Sequence, residues 1–388
     1  MKNKTLLIAT EKRFYLNHHN EIVDLDNTRS YDFWSRYLDV FDKVFVIARI
    51  NKRTLITKTA AIVEGKNIKV FSLTDYQGAR KALFKSHIVK KEIISYVEKF
   101  RHPYILLRLP GNIGNLLANY CLNKKMRYAV EVVGDPYEVF STQKNILLKA
   151  YAILQRNKLK KIVRNATSAA YVTEHYLQNI YPLPNGFKTN YSSIQLNRIF
   201  LNQEKTFSNP NLSIIGVGSL EFPYKGVSVL LKGLKLLTDS GIEYRMTWLG
   251  RGKLLESYKE LAKQLKIDSY VSFPGAVPNE EIPKYLKKNN IFILPSLTEG
   301  LPRSMVEAMA GSLICLGSNV GGIPELLQKK CLFQSNDSTA IFNKLKEVFE
   351  NFPEYKKFTS INFEKAKQYL PEILQTKRNQ FYNSIKPI

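Results

Sequence analysis

The stretch IFILPSLTEGLPRSMVEAMAGSLICL, residues 291–316, holds the fold in miniature. Ile291–Leu294 is an unbroken apolar run, the pattern of a strand buried on both faces. A loop follows, with Pro302 where a first helical residue belongs, and the helix is expected to end near Gly311. A second apolar run, Leu313–Leu316, completes a strand, helix and strand in one direction, the unit of a parallel sheet. Unpaired N–H groups and the dipole at such a helix start favour an anion, and Gly300 lets a ligand approach the chain. Glu299 lies in the loop and Glu307 inside the helix. An ionised carboxylate only accepts hydrogen bonds, and its two oxygens match a vicinal diol. A diphosphate with a diol-bearing sugar on each side would satisfy all three features. In the plainer alternative, Glu299 partners the dipole and Glu307 is a solvated helix residue.

The same alternation runs through the chain. In the first half, strands are expected at Thr5–Ala9, Lys43–Ala48, Ile68–Ser72, Tyr104–Leu109, Tyr128–Val133 and Ala169–Val172, with helices at Ala79–Phe100 and Lys144–Arg164. From Tyr181 the pattern breaks into a Pro-, Asn- and Ser-rich stretch. It restarts with strands at Leu212–Val217, Tyr244–Leu249, Tyr270–Phe273, Ile291–Leu294 and Leu313–Leu316. Two Rossmann-like doubly wound α/β domains are therefore expected, residues 1–185 and 208–362, with a hinge at 186–207 and a last segment, 363–388, of which about Phe363–Ser384 is helical. Ligands of such folds bind at the carboxyl ends of the strands, here in a cleft between the domains.

At 388 residues, 44% of them hydrophobic, the chain can bury two cores. Three cysteines without paired spacing support neither a disulfide framework nor a zinc cluster, and imply a reducing compartment. The apolar run at Leu6–Thr10 is too short for a signal-peptide core, and no uncharged run nears the ~20 residues of a membrane span, so a cytoplasmic location is expected. Charge is uneven: residues 1–200 carry 33 basic against 15 acidic residues, +18, and the remainder only +7. A cationic half of this kind attracts anionic lipid, nucleic acid or phosphorylated substrates, unless it reflects only lysine-rich coding. No nucleic-acid reader motif is present, and no Gly-x-Gly-x-x-Gly follows the first strand, which excludes the usual nicotinamide site.

The segment PSLTEGLPRSMVE resembles the signature of glycosyltransferase family 4, two glutamates separated by seven residues, and IIGVGSLEFPYKGVSVLLKGLKLL, residues 214–237, resembles the same family's phosphate loop. The resemblance is close over residues 212–330 and loose before them. It implies a GT-B fold and a retaining, metal-independent transfer from a nucleotide-diphosphate sugar, UDP- or GDP-linked, without a cofactor. Glu299 would contact the donor hexose and Glu307 the ribose. Gly218, Ser219, Lys225, Gly300, Leu301, Pro302, Arg303 and Ser304 would surround the diphosphate, and Gly275 and Val277 the base. The family has an arginine where Ser219 stands, and Arg303 is the candidate substitute for its charge. WLGRGK, residues 248–253, and SNVGGIPELL, residues 318–327, with Gly321 and Gly322, resemble further backbone-close turns of the family.

In the first half, EVVGDPYEVF, residues 131–140, resembles the acceptor-side loop, and Asp135 is the candidate to touch the transferred sugar or the acceptor. No Gly-Gly loop follows the first strand. ATEKRFYLNHHNE stands there instead, with His18 and His19 either turned to the cleft or solvent-exposed. The basic helices, above all Lys144–Arg164, can lie on an anionic bilayer or pack a core with a solvated outer face. Together with the family they imply a lipid-linked or cell-envelope saccharide acceptor and a peripheral position on the inner face of the plasma membrane. The rivals are a soluble enzyme glycosylating a small molecule and a non-catalytic sugar-nucleotide-binding protein.

Overall fold

The computed structural model describes residues 4–25, 28–55, 60–141, 146–194, 196 and 212–387. The chain divides into two compact units, one made of Met1–Phe140, Asn145–Tyr191 and Gln375–Ile388, the other chiefly of Ser192–Leu374.

In the first unit the strands are β1 Thr5–Asn17, β2 Ile22–Asp24, β3 Lys43–Leu55, β4 Ala61–Ile62, β5 Ile68–Leu73, β6 Tyr104–Leu109, β7 Ala129–Val132, β8 Ser168–Tyr171 and β9 Phe187–Asn190. Seven run parallel in the order β5-β3-β1-β6-β7-β8-β9, while β2 and β4 join antiparallel beside β1. The inner strands are buried on both faces, as β7 and β8 show with every residue buried, because helices cover the sheet. Helices Ala79–Val97, Asn112–Asn123 and Ile146–Arg164 share one core with it, through Val89, Ile93, Leu117, Leu159 and Ile162.

Strand β1 differs from expectation. Instead of ending at Ala9 it continues through the charged TEKRFYLN, where Phe14 alone is fully buried, and its register against β3 shifts between Ala9 and Arg13. A tight turn then leads into β2. His18 and His19 occupy that turn, exposed, with the His19 N–H donating to Asn17 Oδ1 at 2.9 Å. Strand β9 lies within the stretch read as a hinge, since FKTN is too polar to announce a strand. Of that stretch, residue 195 and residues 197–207 lie outside the described residues.

Strand β7 brings a buried acid into this unit. Glu131 pairs with Arg108 of β6, and its Oε1 accepts from the hydroxyls of Tyr37 at 3.0 Å and Tyr191 at 2.6 Å. Tyr382 of the final helix stacks on Tyr37 with ring centroids 4.7 Å apart, and the Ser384 hydroxyl donates to Ser168 Oγ at 3.0 Å. The C-terminal segment is thereby fastened to the first unit. It is two helices where one was expected, Phe352–Lys367 and Pro371–Ser384, because Pro371 cannot continue the earlier helix.

The second unit is a six-stranded parallel sheet of β10 Leu212–Val217, β11 Tyr244–Leu249, β12 Val271–Gly275, β13 Ile291–Leu294, β14 Ile314–Ser318 and β15 Leu332–Phe333, ordered β12-β11-β10-β13-β14-β15. Helix Val227–Asp239 buries Val227, Leu230, Leu231, Leu234 and Leu237, the spacing of one helical face. The strand order reverses between β10 and β13, and their carboxyl ends flank the position where open sheets bind ligands. Among the described residues no helix is long and apolar enough to cross a membrane.

Candidate functional site

The loops leaving β10, β13 and β14 meet at that reversal. After β10 a short turn, Pro223–Lys225, ends in Gly226 at φ +70°. A Cβ on Gly226 would stand 1.9 Å from the Pro295 carbonyl oxygen, so only glycine lets these loops touch. The Leu297 N–H donates to the Tyr224 carbonyl at 2.7 Å and locks the contact. Lys225 is buried against Gly218, and its Nζ donates to Glu299 Oε2 at 2.6 Å. The Ser296 hydroxyl donates to the same oxygen at 3.1 Å. Lys225 and Glu299, read from sequence as contacts to two different parts of one donor, are therefore bonded to each other across the strand reversal.

From the other side Gly321, at φ +54°, presses on Glu299: its missing Cβ would lie 1.7 Å from the Glu299 carbonyl oxygen. The Gly322 N–H donates to the Gly300 carbonyl at 2.8 Å. Gly321→Ala is expected to lower stability by roughly 1–3 kcal/mol, the scale of a strained backbone position, and to displace Glu299. Thermal melting alongside nucleotide binding checks this, and a variant that melts and binds like the parent refutes it.

The helix after Glu299 is Arg303–Ala310, with Pro302 as its N-cap at ψ 113° instead of its first residue, since Pro302 keeps an extended ψ. No side chain caps it, so its first N–H groups face away from any protein acceptor of that kind. Gly300 and Leu301, half-buried, lead into it. The Ser304 hydroxyl donates to the Val217 carbonyl at 3.2 Å, which pins the helix start to the end of β10. Arg303 is exposed, and its recorded attraction is to Glu307, four residues on. Glu299 Oε2 is held by Lys225 and Ser296.

Burial pushes the Glu307 carboxyl up to about 7, and the positive charge of Arg303 only partly offsets it. A carboxyl raised in the fold above its ordinary 4.5 contributes stability below pH 4.5 that is lost as pH rises to about 7. Glu307→Gln should therefore match the parent at pH 4.5 and exceed it at pH 8 by about 3 kcal/mol. Urea unfolding at the two pH values measures this, and an equal difference at both would overturn it.

Gly218, Gly250 and Gly275 line up along the neighbouring strand ends, through Gly218 N–H to Leu249 carbonyl at 2.9 Å and Gly250 N–H to Gly275 carbonyl at 2.8 Å. Gly275, at φ +86°, has nothing within 4 Å of its Cβ position, and Val277 is half-buried in the loop after it. Ser219 is exposed, its Oγ accepting from the Glu221 N–H at 3.3 Å. All the expected donor-side residues thus gather at one end of the second sheet. A cavity of about 550 Å³ near Arg245, Lys259 and Tyr270 lies toward the strands' starts, away from them.

Asp135 corrects its expectation. Its side chain is fully enclosed by an ion pair to Arg156, the Tyr181 hydroxyl at 2.5 Å and the Tyr137 N–H at 2.8 Å. These donors make it a fastening between β7's loop and helix Ile146–Arg164. The sequence reading also missed Ser296, whose only signal was its place three residues before Glu299.

Several known proteins resemble this chain. Protein CapJ of Staphylococcus aureus is 28% identical over 313 residues, 79% of this chain and 78% of that protein. The putative colanic acid biosynthesis glycosyltransferase WcaL of Escherichia coli K12 is 31% identical over 143 residues, so the chain spans only 35% of that relative, matched by 34% of its own length. Sucrose-phosphate synthase from Thermosynechococcus elongatus superposes with a TM-score of 0.73 at 13% identity, covering 98% of each chain. Anabaena HepE, in complex with UDP and glucose, superposes at 0.66 and 12% identity over 98% of this chain and 99% of that one. At such identities these two show the fold, which is GT-B. Residues 198–365 match the family model described as glycosyl transferases group 1.

Proposed function

We propose that this chain is a retaining, metal-independent glycosyltransferase of family 4 that moves a sugar from a UDP- or GDP-linked donor to a lipid-linked or cell-envelope saccharide, in the assembly of a capsule, O-antigen or exopolysaccharide. The observation that carries the reading is the Lys225–Glu299 pair across the β10/β13 reversal, beside a helix start without a side-chain cap. In this reading the donor diphosphate lies against Lys225 and the first N–H groups of Arg303–Ala310, which offset the charge that grows on the leaving group. Glu299, released in part from Lys225, accepts from hexose hydroxyls. Glu307 accepts from the ribose diol in its ionised form, and Gly275 and Val277 flank the base. Metal independence rests on the resemblance to glycosyltransferase family 4, and in the sequence's one Asp-x-Asp, Asp24-Leu25-Asp26, Asp24 is bonded to Lys12 and to the N–H groups of Thr28 and Arg29. WcaL's name supports the polysaccharide acceptor, and HepE's complex supports UDP. The basic first half supports work at the anionic inner face of the plasma membrane.

The test is transfer from a panel of UDP- and GDP-sugars to extracted lipid-linked acceptors, with the anomeric configuration of the product read by NMR. Turnover of one donor with retention is expected. Turnover only onto water-soluble small acceptors, or inversion, would replace the corresponding part of the proposal.

A further inference from the structure

Helices Ala79–Val97 and Ile146–Arg164 flank Asn112–Asn123 on one face of the first sheet. Each follows a strand of the parallel set, so both start at the same end of the sheet. Their later halves pack the core through Val89, Ile93, Leu159 and Ile162. Their earlier halves do the reverse: Leu83, Phe84, Ile146, Leu147 and Leu154 are 77%, 79%, 78%, 73% and 66% exposed. Among the described residues, eight of the fifteen exposed large hydrophobic side chains stand on these two helices, too many in one place to be scattered surface apolars. Cations are interleaved with them. The two helices carry eleven Lys and Arg against a single acid, Glu92, whose carboxylate is already bonded to the Thr74 N–H and hydroxyl.

We propose that the earlier halves of these two helices form a docking surface for anionic phospholipid, with Leu83, Phe84, Ile146, Leu147 and Leu154 entering the acyl boundary and Lys81 and Lys149 meeting the headgroups. It deepens, and rests on, the proposed work at a membrane. The chemistry selects lipid over the other partners. Protein interfaces deplete lysine at their centres, whereas lysine here lies among the apolar side chains. Single-stranded nucleic acid is held by stacked aromatic rings, whereas the exposed residues here are mostly aliphatic. Aliphatic side chains below and long cations spreading outward are the composition of an interfacial helix.

The test is sedimentation of the full chain with phosphatidylcholine vesicles, with or without a third of phosphatidylglycerol, and UDP-induced thermal shift as a separate readout. Binding is expected only with phosphatidylglycerol. L83S/F84S/L147S/L154S should weaken it by at least roughly 100-fold, since each side chain loses much of its transfer free energy. K81Q/K149Q should weaken it by roughly fivefold per charge and flatten its salt dependence. The substituted side chains are exposed, so the UDP shift should persist in every variant. Vesicle binding by the apolar variant equal to the parent's, or indifference of the parent to phosphatidylglycerol, overturns the surface. So does a parent dimer, seen by light scattering, that the apolar variant dissolves, because a second copy then covers the face. Absence of sugar transfer with vesicle binding intact would instead remove the enzymatic reading and leave the surface standing.

Discussion

Lys225→Ala is expected to lower sugar transfer by roughly 10²–10³-fold, the loss seen when one preorganised charge partner of a developing anion is removed. Two effects combine in that number. The variant removes the cation nearest the end of β10, and it leaves the Glu299 carboxylate enclosed with only the Ser296 hydroxyl on its oxygen Oε2. Glu299→Gln should cost a similar factor, but through a different step, because Lys225 keeps its charge and gains freedom. Donor affinity separates the two. Lys225→Ala should raise the donor dissociation constant, whereas Glu299→Gln should act on turnover with binding nearly kept. Arg303→Ala is the control: an exposed arginine whose recorded attraction is to Glu307 should change either quantity by only a few-fold. If Arg303→Ala costs as much as Lys225→Ala, then Arg303 supplies the charge that Ser219 lacks.

That contrast also marks where sequence is legible. Three strands of the second unit, Leu212–Val217, Tyr244–Leu249 and Ile291–Leu294, fall where mainly apolar runs place them, although Arg245 of the second is exposed. Strand β1 beyond Ala9 and strand β9 are hidden because TEKRFYLN and FKTN carry charges on faces the sheet leaves open. Among the residues proposed for the donor side, Glu299, Gly218 and Gly275 are named by the resemblance to glycosyltransferase family 4. The bond between Lys225 and Glu299 is not legible in the sequence, since 74 residues separate them and only the strand order brings them together. Asp135 shows the same limit in reverse. Its loop position suggested chemistry, but Arg156 and Tyr181, from later elements, enclose it.

The first unit offers the other large effect. Glu131→Gln is expected to destabilise the protein by about 3–5 kcal/mol, because it removes the carboxylate paired with buried Arg108, next to which Arg36 and then Arg378 are also buried. Desolvation, and after it Arg36, already draw the Arg378 guanidinium down to about 10, a sign of how crowded the positive charge is. Arg36 answers part of its burial by lying 3.7 Å over the Phe33 ring, yet its Nε and Nη1 find no hydrogen-bond partner among the described residues. Glutamine keeps the shape and one acceptor for Tyr37 and Tyr191, so what is lost is charge. The helix from Gln375 onward should feel it first, since Tyr382 stacks on Tyr37. Hydrogen exchange should therefore show residues 375–387 opening before the sheet, and urea unfolding should show the full loss. Replacing Arg108 as well, in Glu131→Gln/Arg108→Met, should recover part of the stability by removing one of the uncompensated charges. A loss under about 1 kcal/mol in the single variant would mean that water or an ion already neutralises the arginines, and the cluster would not be what holds the C-terminal helix.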